Sequence, residues 1–235
     1  MCTVSFVRSN QKTILTSNRD ETVLRPAVPP QWYAVNGKEI LFPKDPKAGG
    51  TWFASDKNAN TIVLLNGAAG KHKHLFTYRK SRGLIVLDLI SSESPIESWH
   101  EIDLDNIEPF TIVLLENNKL YQLRWNGIEK ETVALDTNKK HVWSSSTLYP
   151  NDIREQRSKW FYSFLETKPK ITETEMFDFH RYTEEGNSEN GLVINRNESL
   201  KTLSITQMVI ESKTAQMKHC DLQQQSEFST HFSVI

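Results

Sequence analysis

Apolar and polar residues alternate from Thr3 to Arg8 and again from Lys12 to Ser17, the period of a strand with one covered face. Ser9-Asn10-Gln11 between them reads as a turn. Asn-Gln is a weaker turn pair than Asn-Gly, because only Asn tolerates a positive φ well. A turn centred on Asn10-Gln11 sets Ser9 opposite Lys12, Phe6 opposite Leu15 and Cys2 opposite Arg19. That register brings the polar run Asn18-Arg19-Asp20-Glu21 beside the amino end, and a slip of one residue would flip every facing side chain.

Downstream, Arg25-Pro26-Ala27-Val28-Pro29-Pro30 cannot be a central strand and is expected as extended surface chain. Gly49-Gly50 opens a second hairpin, with strands at Thr51–Ala54 and Thr61–Leu65 around a turn at Asp56–Ala59. The run Thr61–Leu65 is apolar on both faces and predicts a central strand covered by helices. Leu84–Ile90 fits a buried helix or a strand, which periodicity alone does not separate. Ser94-Pro95 reads as a helix start with Ser94 as N-cap. Thr111–Leu115 and Leu120–Trp125 form a third hairpin about Asn117-Asn118. Asn151–Leu165 predicts a helix with Ile153, Trp160, Phe161 and Phe164 on its apolar side. Thr172–Tyr182 predicts another, capped by Thr172 with Glu175 three residues on. Leu203–Ile210 is a further strand, and the polar tail from Gln223 onward is expected to be loosely held.

Hairpins dominate over strand–helix–strand crossovers, which favours antiparallel sheet with helices packed on it: an α+β fold. No repeat, low-complexity tract or linker divides the chain, so a single domain over 1–235 is expected. Hydrophobic residues at 37% and charged residues at 24% suit a buried core. A net charge of -1 disfavours nucleic acid as a partner. No apolar run approaches the ~18–20 residues needed to span a bilayer. The amino end lacks the basic and apolar regions of a secretory leader. Two cysteines, Cys2 and Cys220, form no disulfide framework, and a reducing, cytoplasmic setting is the natural expectation.

Cys2 carries the first candidate chemistry. With Met1 removed, its α-amine, of ordinary pKa about 7.7–8.0, can serve as base for its own thiol. Such a site needs oxyanion donors and a polar group to hold the amine. Asp20 is suited to accept from the α-ammonium, and Arg19 to bind a substrate carbonyl or carboxylate. The plainer alternatives are a small buried cysteine and a turn with a local Arg–carboxylate pair. Gly67-Ala68-Ala69-Gly70-Lys71-His72 lacks the spacing of a phosphate loop. His72 and His74 read as a solvated loop, Cys220 beside His219 as incidental, and no histidine set has metal-ligand spacing. No cofactor is expected.

Met1-Cys2-Thr3, then Thr16-Ser17-Asn18-Arg19-Asp20-Glu21, then Arg25-Pro26 resembles the start of the NRDE family, the Transport and Golgi organisation 2 group. Gly49-Gly50-Thr51-Trp52, the strand ending at Asn66, Ser81-Arg82-Gly83 and Ser144-Ser145-Ser146 extend the resemblance in order. The family resembles N-terminal-nucleophile hydrolases, which implies a four-layer αββα sandwich of antiparallel sheets. By that resemblance Cys2 is the nucleophile, Arg19 and Asp20 position substrate and amine, and Asn66 is an oxyanion-hole asparagine. Asn18, Ser144 and Ser145 take substrate-binding positions. Family members typically show Ser-Asn where this chain has Ser144-Ser145, and Lys201 is the nearest basic residue to the acylases' late arginine. Two functions follow from the resemblance: hydrolysis of an amide or acyl bond of a small molecule, or non-catalytic binding and trafficking of haem or a lipid-like metabolite in the same pocket.

Overall fold

The computed structural model describes residues 3–75, 77–168 and 170–235. The chain runs β1 (Thr3–Ser9), β2 (Lys12–Thr22), β3 (Val28–Val35), β4 (Lys38–Lys44), β5 (Phe53–Asp56), β6 (Thr61–Asn66), α1 (Arg82–Ile90), α2 (Pro95–Glu101), β7 (Phe110–Glu116), β8 (Lys119–Trp125), β9 (Lys130–Leu135), β10 (His141–Ser144), α3 (Asn151–Glu166), α4 (Glu173–Tyr182), β11 (Asn195–Arg196), β12 (Leu200–Glu211), β13 (Thr214–Asp221) and β14 (Ser226–Ser233). Contacts divide it into two compact units, Met1–Pro26 with Asn138–Ser233, and Ala27–Thr137 with Val234–Ile235.

The first unit is an antiparallel sheet in the order β10-β1-β2-β12-β13-β14, with β11 paired to β12. Its opening hairpin has the register that the alternation predicts: Phe6 faces Leu15 and Ser9 faces Lys12. Asn10 and Gln11 take φ of 52° and 66°, the left-handed pair a two-residue turn needs to follow the strand twist. Helices α3 and α4 pack on one face. Val7, Ile14 and Val209 of the strands meet Phe161, Leu165, Met176 and Phe179 of the helices there. The capping box of α4 forms as expected: Thr172 Oγ1 accepts from Glu175 N, and Glu175 Oε2 accepts from Thr172 N.

Two expectations need correcting in this unit. The tail is not loose: Ser226–Ser233 pairs with β13 along its whole length as an edge strand. Backbone pairing holds a segment whose polar composition hides it, since only every second side chain is half-covered. On α3 the fully covered face is Arg157, Phe161 and Leu165, while Ile153, Trp160 and Phe164 are half-covered.

The second unit is a seven-stranded antiparallel sheet in chain order, β3 to β9, with β6 at its centre as predicted. Helix α1 lies against β5 and β6 and α2 against β7, so Leu84–Ile90 is resolved as helix by the sheet it covers. A Cβ on Gly50 would come 2.3 Å from the Gly83 carbonyl carbon, so both glycines are required where α1 begins. Ser94 caps α2, accepting from Glu97 N at 3.3 Å. The proline-rich crossing joins the sheet at its edge: β3 starts at Val28, and a register shift between Val28 and Gln31 absorbs Pro29 and Pro30. His72 departs from the solvated loop expected of it. Its Nε2 lies 3.3 Å from Glu108 Oε1, and Glu108 also pairs with Arg82 at 2.9 Å. His74 is exposed.

Candidate functional site at the β1–β2 strand ends

Thr3 lies between Asn18 of β2 and Ser144 of β10 in the sheet register. The Cys2–Arg19 pair predicted next to it lies outside the described residues, as does Cys2 itself. Strand alternation then divides the Asn18-Arg19-Asp20 corner between two faces. Asn18 and Asp20 point with Thr3 and Ser5 toward α3 and α4, while Arg19 points with Ser17 to the opposite face. All six polar residues are buried.

The helix-side face is a closed hydrogen-bond network. Asn18 Nδ2 donates to the carbonyls of His180 at 3.0 Å and Leu192 at 2.8 Å. Its Oδ1 is thereby the acceptor, so the His180 Nδ1 that it contacts must carry the proton. His180 Nε2 then accepts from the Ser5 hydroxyl at 2.7 Å. Burial, aided by the Arg157 charge, pushes His180 down to about 3, in keeping with a neutral ring that has one donor and one acceptor satisfied. Arg157 reaches in from α3: Nη1 donates to Thr3 Oγ1 at 2.6 Å, Nε to the Asn190 carbonyl at 3.2 Å and Nη2 to the Gly191 carbonyl. Its guanidinium lies 3.6 Å from the centre of the Tyr149 ring. Tyr149 Oη donates to Asp20 Oδ2 at 2.8 Å, and Thr202 Oγ1 to Asp20 Oδ1 at 2.5 Å. Asp20 is thus a carboxylate held by two hydroxyls.

On the opposite face Arg19 Nη1 donates to the Arg25 carbonyl at 2.8 Å. A bulge in β12 between Thr202 and Ser204 puts Thr202 opposite Asp20 and Ser204 opposite Arg19. One row along, Ser17 faces Thr206, which faces His219. Thr206 Oγ1 and His219 Nδ1 are 2.8 Å apart. Burial first and the Arg19 charge second bring His219 down to about 4. Cys220, its neighbour in sequence, turns to the helix side beside Phe177 and Ile205.

Of the other predicted residues, Ser144 Oγ lies 3.3 Å from Thr3 Oγ1, and Ser145 Oγ 3.0 Å from Thr147 Oγ1. Lys201 pairs with Glu198 and lies opposite Glu21 in the register. Asn66 ends β6 of the second unit, opposite Phe110. Sequence reasoning missed Ser5, Tyr149, Arg157, His180 and Thr202. A signal existed for two: Arg157 stands in line with Phe161 and Leu165 at helical spacing, and His180 stands among Met176, Phe177 and Phe179. Among the described residues no group of three His, Cys, Asp or Glu is arranged to hold a metal, and no helix is long and apolar enough to cross a membrane.

Solved structures of similar fold include a Caenorhabditis elegans N-acylethanolamine-hydrolyzing acid amidase ortholog. It is 12% identical with a TM-score of 0.62, over 88% of this chain and 92% of that one. A variant of conjugated bile acid hydrolase from Clostridium perfringens is 8% identical with a TM-score of 0.55, over 97% and 92% of the two chains. A second mutant of that hydrolase is 9% identical with a TM-score of 0.55, over 98% and 92%. No curated protein matches the sequence. These likenesses show the fold, the α+β, N-terminal-nucleophile-hydrolase-like class expected from the sequence. The family model described as Transport and Golgi organisation 2 matches residues 1–233, and the chain belongs to that family.

Proposed function

We propose that this protein is an N-terminal-cysteine amidohydrolase acting on an amide or related acyl bond of a small molecule. The observation that carries the reading is the β1–β2 register, which runs to Thr3 opposite Asn18 in a fold shared with an acid amidase and a bile acid hydrolase. One of those hydrolase structures is a mutant with alanine in place of a cysteine at its second residue. In the proposed reaction the Cys2 α-amine takes the thiol proton and the thiolate adds to the acyl carbon. The C–N bond breaks as the amine leaves with that proton, and water then cleaves the thioester. Asp20 positions the amine through a polar network, and Arg19 binds a substrate oxygen. Asp20 suits that role because Tyr149 and Thr202 fix both its oxygens. A thiol nucleophile fits a reducing cytoplasm.

The Ser144 and Ser145 hydroxyls, which lie against Thr3 and Thr147, favour a second reading. Without an asparagine there, the same pocket would bind and carry haem or a lipid-like metabolite. Haem carriage predicts a Soret band that survives gel filtration.

The test is the intact mass of untagged protein before and after brief iodoacetamide treatment, followed by turnover of a panel of N-acyl amides. Loss of Met1 with one fast label is expected. Cys220 will not compete, since it is buried and burial pushes its thiol up. Retention of Met1, an inert Cys2, or turnover unchanged in Cys2→Ala sinks the hydrolase reading.

A further inference from the structure

The paths of the two sheets end in four strands, β10, β14, β3 and β9. A sheet edge presents unpaired N–H and C=O groups, and proteins blunt such edges with a short strand, lysine, proline or a bulge. β10 has four residues. β3 carries Pro29 and Pro30 with a register shift. β9 opens on Lys130 and Glu131. β14 has none of these: it runs eight residues without Lys, Arg or Pro and pairs with β13 without a shift. Its one carboxylate, Glu227, is balanced within the chain by Lys218 at 3.1 Å and Arg181 at 3.7 Å. Hairpin geometry fixes which backbone groups of β14 face outward. Ser212-Lys213 is a two-residue loop closed by Glu211 opposite Thr214, so that pair exchanges both its hydrogen bonds. Alternation then turns every second residue of β13, from Ala215 to Asp221, toward β14. The N–H and C=O groups of Glu227, Ser229, His231 and Ser233 are left pointing off the edge. Helix α4 packs on β2 and β12, and the side chains of these four residues are exposed.

We propose that two copies of this chain join edge to edge through β14, about a two-fold axis at Ser229. When identical strands pair antiparallel, outward groups must meet outward groups, and this axis sets Ser229 opposite its own copy and Glu227 opposite His231 of the second copy. The small serines meet on the axis. Each Glu227 carboxylate accepts from the imidazole N–H across from it, and the symmetry makes that contact twice. The partner is a second copy because the edge is complementary to itself: acceptor and donor side chains stand at equal distances on either side of the axis.

The test is sedimentation velocity over a concentration series reaching about 1 mM, since an edge pairing of this kind belongs with weak interfaces, below about 1,200 Å² in total. Wild type is expected to pass from monomer to dimer along the series. Ser229→Pro removes an outward N–H, takes nothing from the backbone ladder with β13, and loses only the surface bond that Gln216 Nε2 donates to the hydroxyl. It should remain monomeric with a thermal midpoint close to that of wild type. His231 reports the register: His231→Lys should tighten the dimer and His231→Glu weaken it, each about fivefold, through the two symmetric cross-strand pairs. A wild type that stays monomeric throughout the series overturns the proposal. So does Ser229→Pro that dimerises like wild type, or association that is the same in both His231 variants. If Ser229→Pro fails to fold, the two His231 variants, substituted at an exposed position, decide the question by themselves.

Discussion

Acid should weaken the unit built on β1 and β2, and His180 supplies much of the effect. The ring is fully buried between Ser5 and Asn18, and its folded value of about 3 lies well below the ordinary 6.5. An unfolded chain therefore binds a proton at His180 below about pH 6.5 that the folded chain refuses until about pH 3. The stabilisation is complete above pH 6.5 and is lost as the pH falls through that window. Each pH unit of the window is worth about 1.4 kcal/mol per proton. Between pH 6.5 and 5.0 the loss from His180 is about 2 kcal/mol. His219, with a folded value of about 4, loses a similar amount over the same interval. Urea midpoints followed by tryptophan fluorescence at pH 7.5, 6.5, 5.8 and 5.0 would measure the sum in wild type. His180→Gln lowers stability at every pH, so the informative quantity is its slope below pH 6.5, expected to be about half that of wild type. Equal slopes in the two proteins would refute the argument, since they would mean that His180 takes up no proton on unfolding.

Other perturbations probe the same architecture. Arg157→Leu strands the Thr3 hydroxyl and two carbonyls. It should cost about 3–5 kcal/mol in chemical denaturation, and a cost below about 1 kcal/mol would refute a central role for the guanidinium. Arg157→Lys should recover only part of that loss, because one ammonium cannot reproduce a three-way fork. In the second unit Gly83→Ala would drive a Cβ to 2.8 Å from the Thr51 carbonyl oxygen, with backbone on both sides. Its expected penalty is about 1–3 kcal/mol, and an unchanged thermal midpoint would show that the start of α1 shifts freely.

Much of this molecule is written locally. The β1–β2 register follows from apolar alternation and a two-residue turn, so Thr3 beside Asn18 could be read directly from the chain. The caps at Ser94 and Thr172, the hairpin at Asn117-Asn118 and the buried run that becomes β6 are legible for the same reason. Each rests on neighbours within a few residues. Helix for Leu84–Ile90 was undecidable locally, because a short apolar run suits either state until the sheet beneath it is known. The last strand was hidden because edge pairing asks little of side chains. The site divides the same way. Cys2, Arg19 and Asp20 stand out as residue types in a motif, but the surroundings of Asp20 and of Thr3 come from far along the chain. Tyr149 reaches Asp20 across 129 positions, Arg157 reaches Thr3 across 154 and Thr202 reaches Asp20 across 182. Burial decides those pairings, since a polar group withdrawn from water must find its partner inside. Which partner it finds depends on how strands and helices stack. The β12 bulge puts Thr202 on the opposite face from Ser204, and no local periodicity encodes that choice.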